Sequence, residues 1–215
     1  MRVTKKHAAR LNEILDAAEQ FFMKNGYEQT TINDILAKVE ISKGAFYHYF
    51  KSKEDAMDAV VERIIRQMES DARAIAADPT LTAHQKMQRI ISTANISDSS
   101  RGEFMEELHR PTNATLHQKS ISGTIDMLAP IMADVIAQGA KEGVYHTAHP
   151  LETIEFILAG SHLVFDGGFF SRTPEELKSR MNALIRNIEL LLGASEGSFA
   201  FLMKNFRKET GMNDK

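Results

Sequence analysis

The residues Lys43-Gly44-Ala45-Phe46-Tyr47-His48-Tyr49-Phe50 place a cation, hydroxyls and an imidazole around two phenylalanines at helical spacing. With Phe46 as origin and about 100° per residue, Phe50 falls at about 40°, while Gly44 and His48 fall at about 160° and 200°. Phe46 and Phe50 therefore face a core, and Gly44 and His48 point away from it. The outward side chains suit duplex DNA. Lys43 can donate to guanine O6 and N7, and the Ala45 methyl can meet a thymine methyl. Thr31, Tyr47, Tyr49 and Lys53 are of the kinds that reach phosphates, and His48 can serve either purpose. Ser42, at the start of the same segment, completes the expected DNA-facing set.

Other groupings suggest other chemistry. Glu106-x-x-His109 matches one unit of a di-iron bundle, but such a site needs a second unit and two further glutamates, and none of the other seven histidines has Glu three residues before it. A mononuclear site could draw on His109, His117, His162 and Asp166, with His162 and Asp166 one helical turn apart; the same residues also fit a polar lining or satisfied core histidines. His109, Asn113 and His117 could reach a ligand pocket walled by Phe104, Met105, Met127, Ile131, Met132 and Phe156, and His162 and Asp166 are candidates for the same lining. Eleven methionines and twelve phenylalanines would make such a cavity adaptable, and an ordinary core would use them as well. Gly193-Ala194-Ser195-Glu196-Gly197 fits G-x-S-x-G, yet that motif acts only on a strand-to-helix turn, and here it follows a helix. Gly193 reads instead as a helix C-cap. No catalytic residue, metal set or cofactor motif is expected.

The elements that must position these groups are helices throughout. The first carries Leu11, Ile14, Leu15, Ala18, Phe21 and Phe22 on one stripe and stops at Asn25-Gly26. A short second helix should begin after Thr31, with Asp34 as capping partner and Ile32, Ile35, Leu36 and Val39 apolar. A turn over 39–42 leads to Ser42, the N-cap of a third helix from Lys43 to about Phe50. A fourth runs from near Ser52 to about Asp78, where Pro79 stops it. Further helices are expected at about 82–96, 100–109, 116–142, 150–170, 174–193 and 198–208. The second helix, the turn and the third form a helix-turn-helix candidate, whose second member lies in the major groove.

Length, charge and composition agree with a globular all-α chain. Its 215 residues are 43% hydrophobic and 26% charged, with a formal net charge of −3. The balance is uneven: residues 1–55 hold 9 basic and 8 acidic side chains, and residues 38–53 hold four Lys against one Glu. Residues 1–12 carry Arg2, Lys5, Lys6 and Arg10 and no acid. That is a small basic face on an acidic body. With no cysteine, disulfide scaffolds, thiol catalysis, Fe–S clusters and Cys-based zinc sites are excluded. The longest mostly apolar stretch, 156–165, is far shorter than the ~20 residues of a spanning helix, and no leader opens the chain, so a cytoplasmic protein without a membrane partner is expected.

The segment 14–57 resembles the DNA-binding domain of the tetracycline repressor (TetR) family of transcriptional regulators. The resemblance rests on Ile14-Leu15-x-Ala17-Ala18-x3-Phe22, on Gly26-Tyr27-x2-Thr30-Thr31 and Ile35, and on Ile41-Ser42-Lys43-Gly44-Ala45-Phe46-Tyr47-x-Tyr49-Phe50-x2-Lys53-Glu54. It departs from the family's pattern at Val39-Glu40, where Ala-Gly is usual, and at Leu36, where Ala is usual. A non-glycine residue at positive φ in that turn would cost about 1 kcal/mol. The resemblance implies a helix-turn-helix domain over 1–52, with the motif at about 31–50, and a ligand-binding and dimerisation domain over 53–215. It places the dimer seam on the helices at about 150–170 and 174–193, whose wide apolar faces would equally fit a monomer core. It further implies a homodimer on a pseudo-palindromic double-stranded DNA operator, acting as a repressor released by a small-molecule effector. A metal-binding or enzymatic all-α bundle fused to a helix-turn-helix is the alternative.

Overall fold

The computed structural model of the chain describes residues 2–94, 114–166 and 170–210. Every regular element among them is a helix: α1 (Arg2–Asn25), α2 (Ile32–Val39), α3 (Lys43–Tyr49), α4 (Lys53–Ala77), α5 (Ala83–Ala94), α6 (Ala114–Lys141), α7 (Pro150–Phe165), α8 (Pro174–Leu192) and α9 (Phe201–Thr210). The helix expected at 100–109 lies outside the described residues. The chain divides into two compact units, one of Met1–Arg66 with Ser97–Ser120 and one of Gln67–Ile96 with Ile121–Lys215.

In the first unit, Ile14, Ala18 and Phe22 of α1, Ile35 of α2, Phe46 of α3 and Ala56 and Val60 of α4 are fully buried together. The chain leaves α1 through Gly26 at φ 76°. Thr30, also fully buried, donates its hydroxyl to the carbonyls of Phe21 (3.1 Å) and Gly26 (2.8 Å), satisfying groups that α1 leaves open at its end. Arg63 of α4 pairs with Asp16 at 2.6 Å and with Glu19, both on α1.

The second unit is built on Met87 and Ile90 of α5, Leu128, Met132 and Ile136 of α6, Ile154 of α7, and Ile188 and Leu192 of α8, with Tyr145 and Phe199 from the connecting segments. α6 matches the helix expected at about 116–142 to within two residues at each end. Ala114–Lys141 has an 18-residue window of mean hydropathy 1.3 and is by length and composition able to span a membrane; here its Leu128, Ile131, Met132, Val135 and Ile136 are buried in the core of the second unit. Gly193 caps α8 at φ 59°, ψ 32° as expected, and a Cβ there would stand 2.6 Å from the His146 carbonyl oxygen, so any other residue would force the backbone to shift. Lys86 is buried at 5% exposure and donates to the Ala76 carbonyl at 2.7 Å and Gln138 Oε1 at 2.8 Å. α7 ends at Phe165, short of the expected 170, because Asp166 turns to extended backbone at φ −73°, ψ 116°.

Candidate nucleic-acid interface

Local capping defines the helix-turn-helix. At the start of α2, Thr31 Oγ1 accepts from the Asp34 amide at 3.2 Å while Asp34 Oδ2 accepts from the Thr31 amide at 2.8 Å, a complete capping box. The Thr31 hydroxyl also donates to Asp34 Oδ2 at 2.7 Å. These bonds hold the Asp34 carboxyl below its usual range, the Thr31 hydroxyl being the largest cause. α2 stops at Glu40, which adopts the left-handed conformation, φ 55° and ψ 48°, and donates its N–H to the Leu36 carbonyl. The turn thus keeps the geometry that glycine usually supplies, with a glutamate in it. Ser42 then caps α3, its Oγ accepting from the Ala45 amide at 3.2 Å.

The two faces of α3 separate as the spacing predicts. Phe46 and Phe50 are 0% and 4% exposed, Phe50 being the C-cap residue just past the helix. Ser42, Lys43, Gly44, Tyr47 and His48 are exposed, and Ala45 and Tyr49 are half-buried. Lys43 Nζ lies 5.9 Å from the centre of the Tyr47 ring, so cation and hydroxyl share one edge of the helix. Gly44 has open space around it: a Cβ would meet only Ser42 Oγ, at 3.9 Å.

Two expected phosphate contacts are differently occupied. The Thr31 hydroxyl serves α2 as described. The Lys53 ammonium donates to the carbonyls of Tyr27 (2.9 Å) and Thr30 (3.1 Å) and sits 4.0 Å from the Tyr27 ring centre. One residue escaped the sequence reading. The His7 ring of α1 packs against Tyr49 at 4.6 Å and His48 at 5.7 Å, extending the exposed face of α3. The acid-free start of the chain pointed to this region by charge, a signal to which a neutral histidine does not contribute.

The residues expected to line a ligand pocket are spread over both units and the undescribed segment. Phe104, Met105, His109 and Asn113 lie outside the described residues. His117 is buried in the first unit. In the second unit Ile131 is buried in the core, Met127 packs against that core half-buried, and Asp166 is buried at the end of α7. Phe156 is 71% exposed, since Ile154 and Ile157 take the buried side of α7 and Phe156 stands about 200° around the helix from Ile154. His162 is exposed as well. A cavity of about 10 Å³ beside Met68, Ala72, Ile90 and Leu128 has room for one water and no more. No three His, Asp or Glu side chains converge as metal ligands among the described residues.

Comparison with known proteins places this geometry. Residues 14–60 match the family model described as bacterial regulatory proteins of the tetR family, and residues 95–187 match the tetracyclin repressor-like C-terminal domain. An uncharacterized helix-turn-helix-type transcriptional regulator of Lactococcus lactis is 46% identical over 54 residues, 25% of this chain and 28% of its own length. The fatty acid metabolism regulator protein of Bacillus subtilis is 28% identical over 151 residues, 65% of this chain and 75% of its own. The structure of SmeT, the repressor of the Stenotrophomonas maltophilia multidrug efflux pump SmeDEF, shares the fold with a TM-score of 0.54 at 21% identity, covering 87% of this chain and 92% of SmeT. Capped α2, a left-handed turn and an exposed α3, followed by a helical body that matches the family's C-terminal model, make this chain a member of the TetR family of DNA-binding transcriptional regulators.

Proposed function

We propose that the chain represses transcription as a homodimer on a pseudo-palindromic operator and that a small molecule bound by its C-terminal body releases it. The observation that carries the DNA-reading part is the outward face of α3. Lys43 and Tyr47 stand exposed on one edge, with Gly44 and His48 beside them, while Phe46 and Phe50 hold the helix to the core. In this reading Lys43 and Ala45 meet base edges, and Ser42, Tyr47, Tyr49 and His48 meet phosphates or bases. Gly44 lets the helix backbone approach the groove. Repression accords with the tetracyclin repressor-like C-terminal match.

Dimerisation is supported by an apolar surface on α7 and α8. Phe156 and Leu163 of α7 are 71% and 46% exposed, and Leu190 and Leu191 of α8 are 62% and 41% exposed. Side chains of that size stay open on a monomer only at a cost, and a second copy would cover them. Effector release requires that the ligand bind the DNA-incompetent conformation more tightly than the competent one, since equal affinity shifts nothing. The test is operator affinity of Lys43→Ala and Tyr47→Phe, using the duplex that the wild-type chain enriches from a random-sequence pool. Both should bind more weakly while sedimenting as the same dimer; unchanged affinity in both removes α3 as the reading helix.

A further inference from the structure

We infer that His7 of α1 and His48 of α3 form a paired-imidazole contact to the DNA backbone whose strength follows pH, so that the operator is held more tightly at pH 6 than at pH 8. The His7 ring lies 5.7 Å from the His48 ring and 4.6 Å from the Tyr49 ring, and His48 and Tyr49 stand 5.4 Å apart. Two helices thus share one cluster of three polar rings. Both histidines are exposed, and Tyr49 is half-buried.

Position gives the cluster its partner. His48 stands on the side of α3 opposite Phe46, and Tyr49 lies about 100° farther round. His7 extends that edge of α3 outward from Tyr49. A helix seated in the major groove is flanked by phosphate strands, and groups along its edges meet them. When α3 reads the groove, His7 therefore faces a phosphate strand.

The chemistry of the pair makes this contact proton-dependent. An imidazole offers two N–H donors when cationic and one when neutral, and it is the side chain whose charge changes near neutral pH. Around the pair, α1 brings Arg10, which is held by Glu13 at 2.7 Å and donates to the Val39 carbonyl at 3.5 Å. The turn that Arg10 contacts brings Glu40, and α3 brings Lys43, Tyr47 and Tyr49 and no acid, with Lys51 just past its end. Among the described residues neither imidazole forms an ion pair or a hydrogen bond; ring contacts are their interactions. Two cationic rings this close repel each other in the free protein, and a phosphate strand offsets the repulsion. Binding DNA therefore takes up protons, and by reciprocity protons tighten the complex.

The inference rests on α3 being the DNA-reading helix, and the experiment separates the two. Operator Kd is measured with the enriched duplex from pH 6 to pH 8 at constant ionic strength, for the wild type, His7→Gln, His7→Lys and Lys43→Ala. The wild type should bind about tenfold more tightly at pH 6 than at pH 8. His7→Gln should match it within about twofold at pH 8 and gain only about threefold on acidification. His7→Lys, cationic throughout, should bind more tightly than the wild type at pH 8 and gain less. Lys43→Ala should be weaker at every pH yet keep the wild-type gain. A wild-type Kd unchanged between pH 6 and pH 8, or a His7→Gln gain equal to the wild type's, overturns the histidine contact while a weakened Lys43→Ala leaves the α3 reading standing. Full affinity in Lys43→Ala overturns the α3 reading, and the inference with it. Mixing the wild-type protein with the duplex in weak buffer near pH 7 should raise the pH, and no rise overturns the contact. That measurement needs no substitution, so a variant that fails to fold leaves the test intact.

Discussion

The N–H of Glu40 donates to the carbonyl of Leu36 while Glu40 stands at φ 55°, ψ 48°, so the turn between α2 and α3 is closed by a residue in a conformation that favours glycine. The left-handed well costs a side chain about 1 kcal/mol. Glu40→Gly should therefore stabilise the DNA-binding unit by up to about 1 kcal/mol, seen as a higher denaturant midpoint for its unfolding. A lower midpoint would mean that the glutamate side chain contributes something the turn geometry does not reveal.

Gly44 presents the opposite case. Within the chain nothing requires glycine there, because a Cβ would have only Ser42 Oγ near it, at 3.9 Å. Alanine is the better helix former by about 1 kcal/mol. Gly44→Ala should melt no lower than the wild type and bind its operator at least about tenfold more weakly, if the groove is what demands the small residue. Equal affinity would place Gly44 outside the contact surface.

In the second unit Gly139 is required by packing. A Cβ at this helical position would run into the Tyr145 ring, which is buried against α6 at 1% exposure. Gly139→Ala should destabilise the protein by about 1 to 3 kcal/mol, the usual range for forcing a methyl into a filled core. Chemical denaturation measures this directly, and a neutral result would show that the Tyr145 ring can move aside.

Glu142 gives the second unit an acid-sensitive joint. Gln138 Nε2 donates to its carboxylate at 2.6 Å and the Ala83 amide at 3.0 Å, which together hold the carboxyl below its ordinary value, the Gln138 bond being the larger cause. A carboxyl depressed on folding contributes stability above its unfolded value, near 4.5, and loses it as the pH falls through the folded value beneath. Glu142→Gln should therefore lower stability at neutral pH and flatten the loss of stability on acidification below about pH 4.5. A variant with the same acid limb as the wild type would assign that limb to other carboxyls.

Much of the DNA-binding unit is legible in the residues because its determinants are local. Thr31 with Asp34, Ser42 before Lys43, and Gly26 after Asn25 are caps set by neighbours within three or four positions, and the Phe46–Phe50 spacing alone orients α3. Gly193 was readable as a cap for the same reason. Lys53 was not, since its partners Tyr27 and Thr30 are 26 and 23 residues away and an isolated lysine looks like any surface cation. Its one local sign was a positive charge in the first turn of α4. The exposure of Phe156 was not legible, because α7 is apolar on nearly every side and only the finished packing, with Ile154 and Ile157 inward, decides which face is open.

The most direct test of the central claim is selection of duplexes from a random pool by the wild-type chain, followed by hydroxyl-radical footprinting of the enriched sequence. The expected result is an inverted repeat with two protected half-sites about one helical turn apart or somewhat more, and loss of enrichment with Lys43→Ala. A pool without an inverted repeat, or one that Lys43→Ala enriches equally well, would contradict a dimer reading DNA through α3.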